Sequence, residues 1–186
     1  MERGVRDLNI LEKFALEFTH IVEHYSRYII VSGFVAIVHG RSRATEDIDL
    51  ILERVPKEKF AQLHAHLEKG GFECIQGENP AMLYDDYLAQ NTAIRYIKRG
   101  TPLPDMEVKL AKDRLDELQL QERTKLPMTN LPFWFSSIET NIAFKEEYLK
   151  SPKDLEDARH LRVVYGGKLD KEKIDRWKML IKKFRS

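Results

Sequence analysis

The sequence predicts an α/β (α+β) fold, with a mixed β-sheet core packed by helices and a helical C-terminal region behind it. Three observations predict it. Short β-branched runs alternate with amphipathic segments as far as about Ala111. Two strand candidates, TAIRYIK and DMEVKL, are separated by the turn-forming stretch RGTPLP. Beyond that point only helical periodicities remain, so residues 1–112 read as the sheet-bearing core and 113–186 as the helical region.

Leu8, Leu11, Ala15, Phe18, Val22 and Tyr25 recur in steps of three and four, the stripe of a first amphipathic helix. YIIVSG follows as a buried strand ended by glycine, and Phe34–Val38 as a short helix closed at Gly40. DIDLIL (47–52) alternates polar and apolar and reads as a second strand. Pro56 suits the first turn of a helix carrying Phe60, Leu63 and Leu67, which Gly70-Gly71 stops. FECIQ is a third strand, and the hairpin follows. In the helical region, Ser136 and Glu139 stand at capping-box spacing. Ser151 caps a helix with Pro152 in its first turn and Gly166-Gly167 at its end. Asp170 caps a last helix with the stripe Ile174, Trp177, Ile181 and Phe184.

Composition narrows the class. The chain has 186 residues, 42% hydrophobic and 33% charged, enough for one ordinary core. No apolar run approaches the ~18–20 residues of a membrane span, and MERGVRDLNILEKF lacks the apolar centre of a secretory signal. A single cysteine, Cys74, excludes an internal disulfide and a multi-cysteine zinc site. The expectation is a cytoplasmic protein that does not enter a membrane. Net charge is only +1, but Lys168–Arg185 is locally basic. That segment reads either as a phosphate-backbone contact or as a solvated helix face.

The chemistry concentrates in VSGFVAIVHGRSRATEDIDLIL. Ser32 and Gly33 fall between a strand and a short helix, where small residues let a triphosphate approach backbone amides. Asp47 follows Gly33 by fourteen positions, and Asp49 lies two further on. In a strand, i and i+2 project from one face, so the two carboxylates lie side by side. Adjacent like charges are costly unless a cation neutralises them, and hard oxygen ligands suit Mg²⁺ with substrate phosphates.

The combination of Ser32-Gly33 with Asp47-Ile48-Asp49 resembles the nucleotidyltransferase superfamily with the DNA polymerase β-like fold. The order Ser-Gly departs from that family's commoner Gly-Gly or Gly-Ser. Val38-His39-Gly40, Arg43, Thr45 and Asp47-Ile48-Asp49, then Lys145, Lys153, Asp154 and Asp157, look more narrowly like the small prokaryotic nucleotidyltransferases. These include abortive-infection toxins and some antibiotic nucleotidyltransferases. The likeness spans about residues 28–165.

The resemblance implies transfer of a nucleoside monophosphate from a nucleoside triphosphate, assisted by two Mg²⁺ ions. It implies Asp47, Asp49 and a third acid as metal-binding catalytic residues, with Ser32, Gly33, Arg43 and Thr45 at the nucleotide. Lys145 reaches the triphosphate or is a helix-surface lysine. His39 reads as a packed or helix-terminal side chain, and Asp154 as a helix-start acid or a site residue. Tyr84-Asp85-Asp86-Tyr87 could line an acceptor cleft or form an exposed turn. Glu107, flanked by Met106 and Val108, is the expected third carboxylate, whereas Asp105 behind Pro104 is assigned to the turn. The acceptor is open among tRNA, protein and a small molecule. Two other functions compete: an inactive nucleotide-binding regulator, and an RNA- or protein-binding module that uses the basic last helix.

Overall fold

The computed structural model describes residues 8–42, 47–126 and 128–185. Arg43 and Thr45 lie outside the described residues. Five strands form one mixed sheet in the order β1-β2-β5-β4-β3: β1 (Tyr28–Val31), β2 (Asp47–Leu52), β3 (Phe72–Cys74), β4 (Ile94–Lys98) and β5 (Thr101–Leu110). The central pair β2 and β5 runs parallel, and every other pair is antiparallel.

One face of the sheet is apolar. Ile48, Leu50, Leu52, Met106, Val108 and Tyr96 are buried there. The covering helices are α1 (Ile10–Val22) and α3 (Lys57–Lys69), whose Phe14, Phe18, Phe60 and Leu63 join the same core. Asn9 caps α1 in a full capping box with Glu12, so Leu8 and Tyr25 flank the helix rather than belong to it. The opposite face is apolar only at one end, where Ile29, Ala111 and Leu120 cluster under α5 (Arg114–Gln121). Its other end carries the polar residues of β2 and β5. This asymmetry leaves half of one sheet face for chemistry.

The hairpin differs from expectation. Its turn is only Arg99-Gly100, with Gly100 at φ 77, and Lys98 pairs with Thr101. β5 therefore runs through Pro102 and Pro104. A register shift beside Ile97 and Lys98 absorbs the extra residues, which tolerates prolines that cannot donate to a ladder. Asp105 is thus not a turn residue. It lies inside the sheet, paired to Asp47 on one side and Ile97 on the other.

Between β3 and β4 the chain forms α4 (Pro80–Met82), a π-helical turn (Leu83–Tyr87) and a 3₁₀ turn (Leu88–Gln90). The Tyr84 hydroxyl donates to Val55 O at 2.8 Å and Asp85 pairs with Lys57, so this segment is tied to the start of α3. The C-terminal region holds α6 (Ile138–Phe144), α7 (Pro152–Tyr165) and α8 (Lys171–Arg185). Ser137 caps α6, one residue later than the sequence suggests; Ser136 instead donates its hydroxyl to Gln119 at 2.9 Å. Ser151 and Asp170 cap α7 and α8 as expected. Ile174, Trp177 and Ile181 are buried, while Phe184 stays 47% exposed.

Part of the basic charge of α8 is paired within the protein, while Lys171, Lys182 and Lys183 are exposed. Lys178 pairs with Glu146 at 2.6 Å, and Arg176 with Glu122 at 3.0 Å. Arg185, 10% exposed, pairs with Asp113 and Asp116 at 2.8 and 2.7 Å. Charges spent this way hold the last helix to the protein. Arg185→Ala should therefore lower stability by about 2 kcal/mol, since it strips a charged partner from the buried Asp116. Thermal melts that match the parent would show instead that Arg185 is ordinary surface charge.

Candidate active site

Sheet register builds the centre of the site. Asp47 stands opposite Asp105, and Asp49 opposite Glu107, across the parallel β2–β5 pair. Four carboxyl groups thus share one face in a two-by-two grid. Two cations answer them. Arg95 of β4, registered opposite Glu107, reaches it at 2.9 Å and approaches Asp105 at 3.9 Å. Lys109, two residues beyond Glu107 on the same face, reaches Glu107 at 2.6 Å and Asp49 at 3.8 Å. With all four acids ionised, the grid keeps an excess of negative charge.

Each acid has a different electrostatic setting. Burial pushes the Asp49 pKa up, with Lys109 and the Ser32 side chain offsetting part of that and Glu107 and Asp47 adding to it. For Glu107, burial alone would raise the pKa, but Lys109 and Arg95 together hold it below the ordinary range. For Lys109, burial would lower the pKa, but the Glu107 and Asp49 carboxylates raise it. Asp105 is the outlier. Burial, then Asp47, pushes it up to about 6. It is 5% exposed, and its Oδ1 is buried without a hydrogen-bond partner.

A raised folded-state pKa means that the native protein holds this proton more tightly than the unfolded chain. The contribution of Asp105 to stability is then greatest below about pH 4 and is lost as pH rises towards 6. Asp105→Asn removes that slope. The variant should be more stable than the parent at pH 7 by about 1–2 kcal/mol, less than the full shift because solvent screens part of the repulsion from Asp47. Chemical denaturation at pH 4.5 and 7 measures it; an equal difference at both pH values would contradict the assignment.

Asp49, alone of the four acids, lines a cleft of about 310 Å³, together with Ser32, Lys109, Lys112, Lys145 and Tyr148. Ser32 sits between β1 and the short helix α2 (Gly33–Val38), at φ 67 and ψ −133. That conformation favours glycine and is strained for serine. The Ser32 side chain is thus held in a glycine-like backbone position, hydrogen-bonded to Asp49. Gly33 is buried as the first residue of α2.

Lys145 ends α6 and begins a π-helical turn (Lys145–Leu149), a distortion frequent at functional sites. It lines the cleft but is only 1% exposed. It is not a helix-surface lysine: its ammonium donates to Asp157 at 2.8 Å and to Asp154 at 3.2 Å. Arg41, just after α2, pairs with the same Asp157 and with Glu156. The acids that sequence spacing left unassigned therefore anchor two cations. His39 is the C-cap of α2, with Nδ1 on Val35 O at 2.6 Å and Nε2 on the Tyr165 hydroxyl at 2.7 Å, a packed residue.

Sequence reading missed Arg95, Lys109 and Lys112. Arg95 carries a signal in retrospect, because a hairpin between TAIRYIK and DMEVKL can place Arg95 opposite Glu107. Lys109 shares the alternation of Asp105 and Glu107. Lys112 lies just past the strand and carries no pattern of its own.

A five-stranded mixed sheet with paired acids on two central parallel strands, beside a small-residue turn and a helical appendage, is similar to the fold of nucleotidyltransferases of known structure. The solution structure of the antibiotic-resistance factor ANT(2'')-Ia aligns over 93% of this chain and 91% of its own, at TM-score 0.54 and 15% identity. ANT(2")-Ia in complex with adenylyl-2"-tobramycin aligns over 96% and 100%, at TM-score 0.54 and 18% identity. An antigenic nucleotidyltransferase-like protein from Paracoccidioides brasiliensis aligns over 94% and 88%, at TM-score 0.53 and 17% identity. No family sequence model matches the chain, and neither does any curated protein. Among the described residues, no helix is long and apolar enough to cross a membrane.

Proposed function

We propose that this protein is a nucleotidyltransferase that moves a nucleoside monophosphate from a nucleoside triphosphate to a hydroxyl of a small-molecule acceptor. The observation that carries the reading is the carboxyl grid, one of whose acids, Asp49, lines a cleft of about 310 Å³ together with Ser32 and three lysines. The donor set has the chemistry that suits Mg²⁺: hard carboxylate oxygens with an excess of negative charge, beside the unpartnered buried oxygen of Asp105. Asp47, Asp49 and Glu107 would hold it. Once bound there, Mg²⁺ lowers the charge on the triphosphate and acidifies the acceptor hydroxyl.

The chain's own residues do the rest. Ser32 and Gly33 let the triphosphate approach the backbone, and Lys112 supplies positive charge at the cleft. Arg43 and Thr45 belong to the same reading as phosphate contacts. The acceptor oxygen forms a new bond to the α-phosphorus, the bond from that phosphorus to the pyrophosphate oxygen breaks, and the hydroxyl proton passes to a carboxylate of the grid. Positioning and electrostatics carry most of the acceleration in such transfers. Lys145 acts from its pairing with Asp154 and Asp157, fixing the cleft wall next to the nucleotide.

The acceptor class rests on the neighbouring complex with an adenylylated aminoglycoside. Incubation with each α-labelled nucleoside triphosphate and Mg²⁺, against pools of aminoglycosides, tRNA and protein, tests it. Label on a small molecule is the expected result. Label on tRNA or protein overturns the acceptor class, and no label on any pool overturns the activity.

A further inference from the structure

We propose that Lys109 is a cation gate: its ammonium occupies the place between Asp49 and Glu107 that a divalent ion must take, and competes with it. The inference rests on the reading of those carboxylates as metal ligands. Lys109 is the side chain that bridges the two strands of the grid, 2.6 Å from Glu107 and 3.8 Å from Asp49. It reaches them from within β5, two residues past Glu107, so the backbone itself aims it at the grid. Arg95 pulls Glu107 from the other side at 2.9 Å.

The consequence is visible in the geometry. Asp49 and Glu107 are neighbours in register, and the Lys109 ammonium lies between them, bonded to Glu107 and 3.8 Å from Asp49. A lysine is suited to this role because its charge is a compact point on a flexible four-carbon stem. The side chain of Lys109 is 43% exposed and lines the cleft, so it can leave the acids without crossing packed core. Arg95 has a different geometry, a rigid fork on the far side of Glu107, and does not approach Asp49 within salt-bridge distance.

A gate of this kind links metal entry to nucleotide arrival. An incoming Mg²⁺–triphosphate brings anionic oxygens that can accept the displaced ammonium, whereas a bare ion offers it no new partner. Metal binding without nucleotide should therefore be weak in the parent protein and tighter when the lysine charge is gone.

The test uses Mn²⁺ alone, measured by electron paramagnetic resonance titration without nucleotide on the full chain. Lys109→Met should bind Mn²⁺ roughly tenfold more tightly than the parent, the effect of removing one unit charge about 4 Å from the ion at a half-exposed site. Lys109→Arg, which keeps the charge, should stay close to the parent. Equal affinity in all three proteins, or weaker binding in Lys109→Met, overturns the gate. Loss of Mn²⁺ binding in Asp49→Asn, measured alongside, would then leave the metal-site reading intact. Mn²⁺ bound by none of the proteins, even with nucleoside triphosphate added, overturns that reading and the gate together.

Discussion

Asp49→Asn is expected to lower nucleotidyl transfer at least about 100-fold, roughly 2.7 kcal/mol of transition-state stabilisation, with little change in melting temperature. Asparagine keeps the shape of the side chain and removes the charge that would hold a divalent ion. Folding should tolerate this. Burial already raises the Asp49 pKa, so the native state holds that carboxylate at a cost, and the apolar face of β2 (Ile48, Leu50, Leu52) is untouched. The same logic applies to Glu107→Gln, which should also lose activity and in addition leave Arg95 and Lys109 without a shared anion. Near-parent transfer by Asp49→Asn would sink the metal assignment. Full activity in Glu107→Gln, with loss in Asp105→Asn, would move the third-carboxylate role to Asp105.

That last distinction marks where sequence reading ran out. The strands were legible because their patterns are strong: DIDLIL alternates, YIIV is β-branched, and the caps Ser151 and Asp170 precede real helices. Asp47 and Asp49 were placed on one face by period alone, and the register confirms that they share it with Asp105 and Glu107. Asp105 was misplaced because Pro104 usually marks the edge of a strand. In this chain a register shift in the hairpin absorbs the proline, and such a shift depends on pairing that no local pattern encodes. The basic C-terminal helix stays open between two readings for a similar reason. A charge run in sequence does not reveal whether its partners are solvent or the acids of another segment, and here Glu122, Glu146, Asp113 and Asp116 meet it. Lys145 raised the same difficulty: its helical spacing suggests surface, while its burial comes from α7 packing over it.

Lys145→Met is expected to cost about 3 kcal/mol of stability, the lower end of the range for breaking one side of a buried ion pair. Lys145 is 1% exposed and Asp157 is fully buried, so the ammonium cannot be replaced by water when it is removed. Arg41 still pairs with Asp157, which limits the loss. The Asp154 carboxylate still accepts from the Ser151 hydroxyl and is closer to solvent. Methionine fills much of the same volume without a polar atom, so the penalty reports the uncompensated charge and not a cavity. Two further variants separate the causes. Asp157→Asn alone should also destabilise, because it leaves Lys145 and Arg41 facing a weaker partner. The double variant Lys145→Met/Asp157→Leu should recover part of the loss, since it removes both buried charges on that contact. Urea unfolding of the three proteins measures these differences, with activity recorded on the folded fraction. If Lys145→Met unfolds at the parent's midpoint while transfer collapses, the lysine belongs at the triphosphate and its pairing with Asp157 is not what holds it in place.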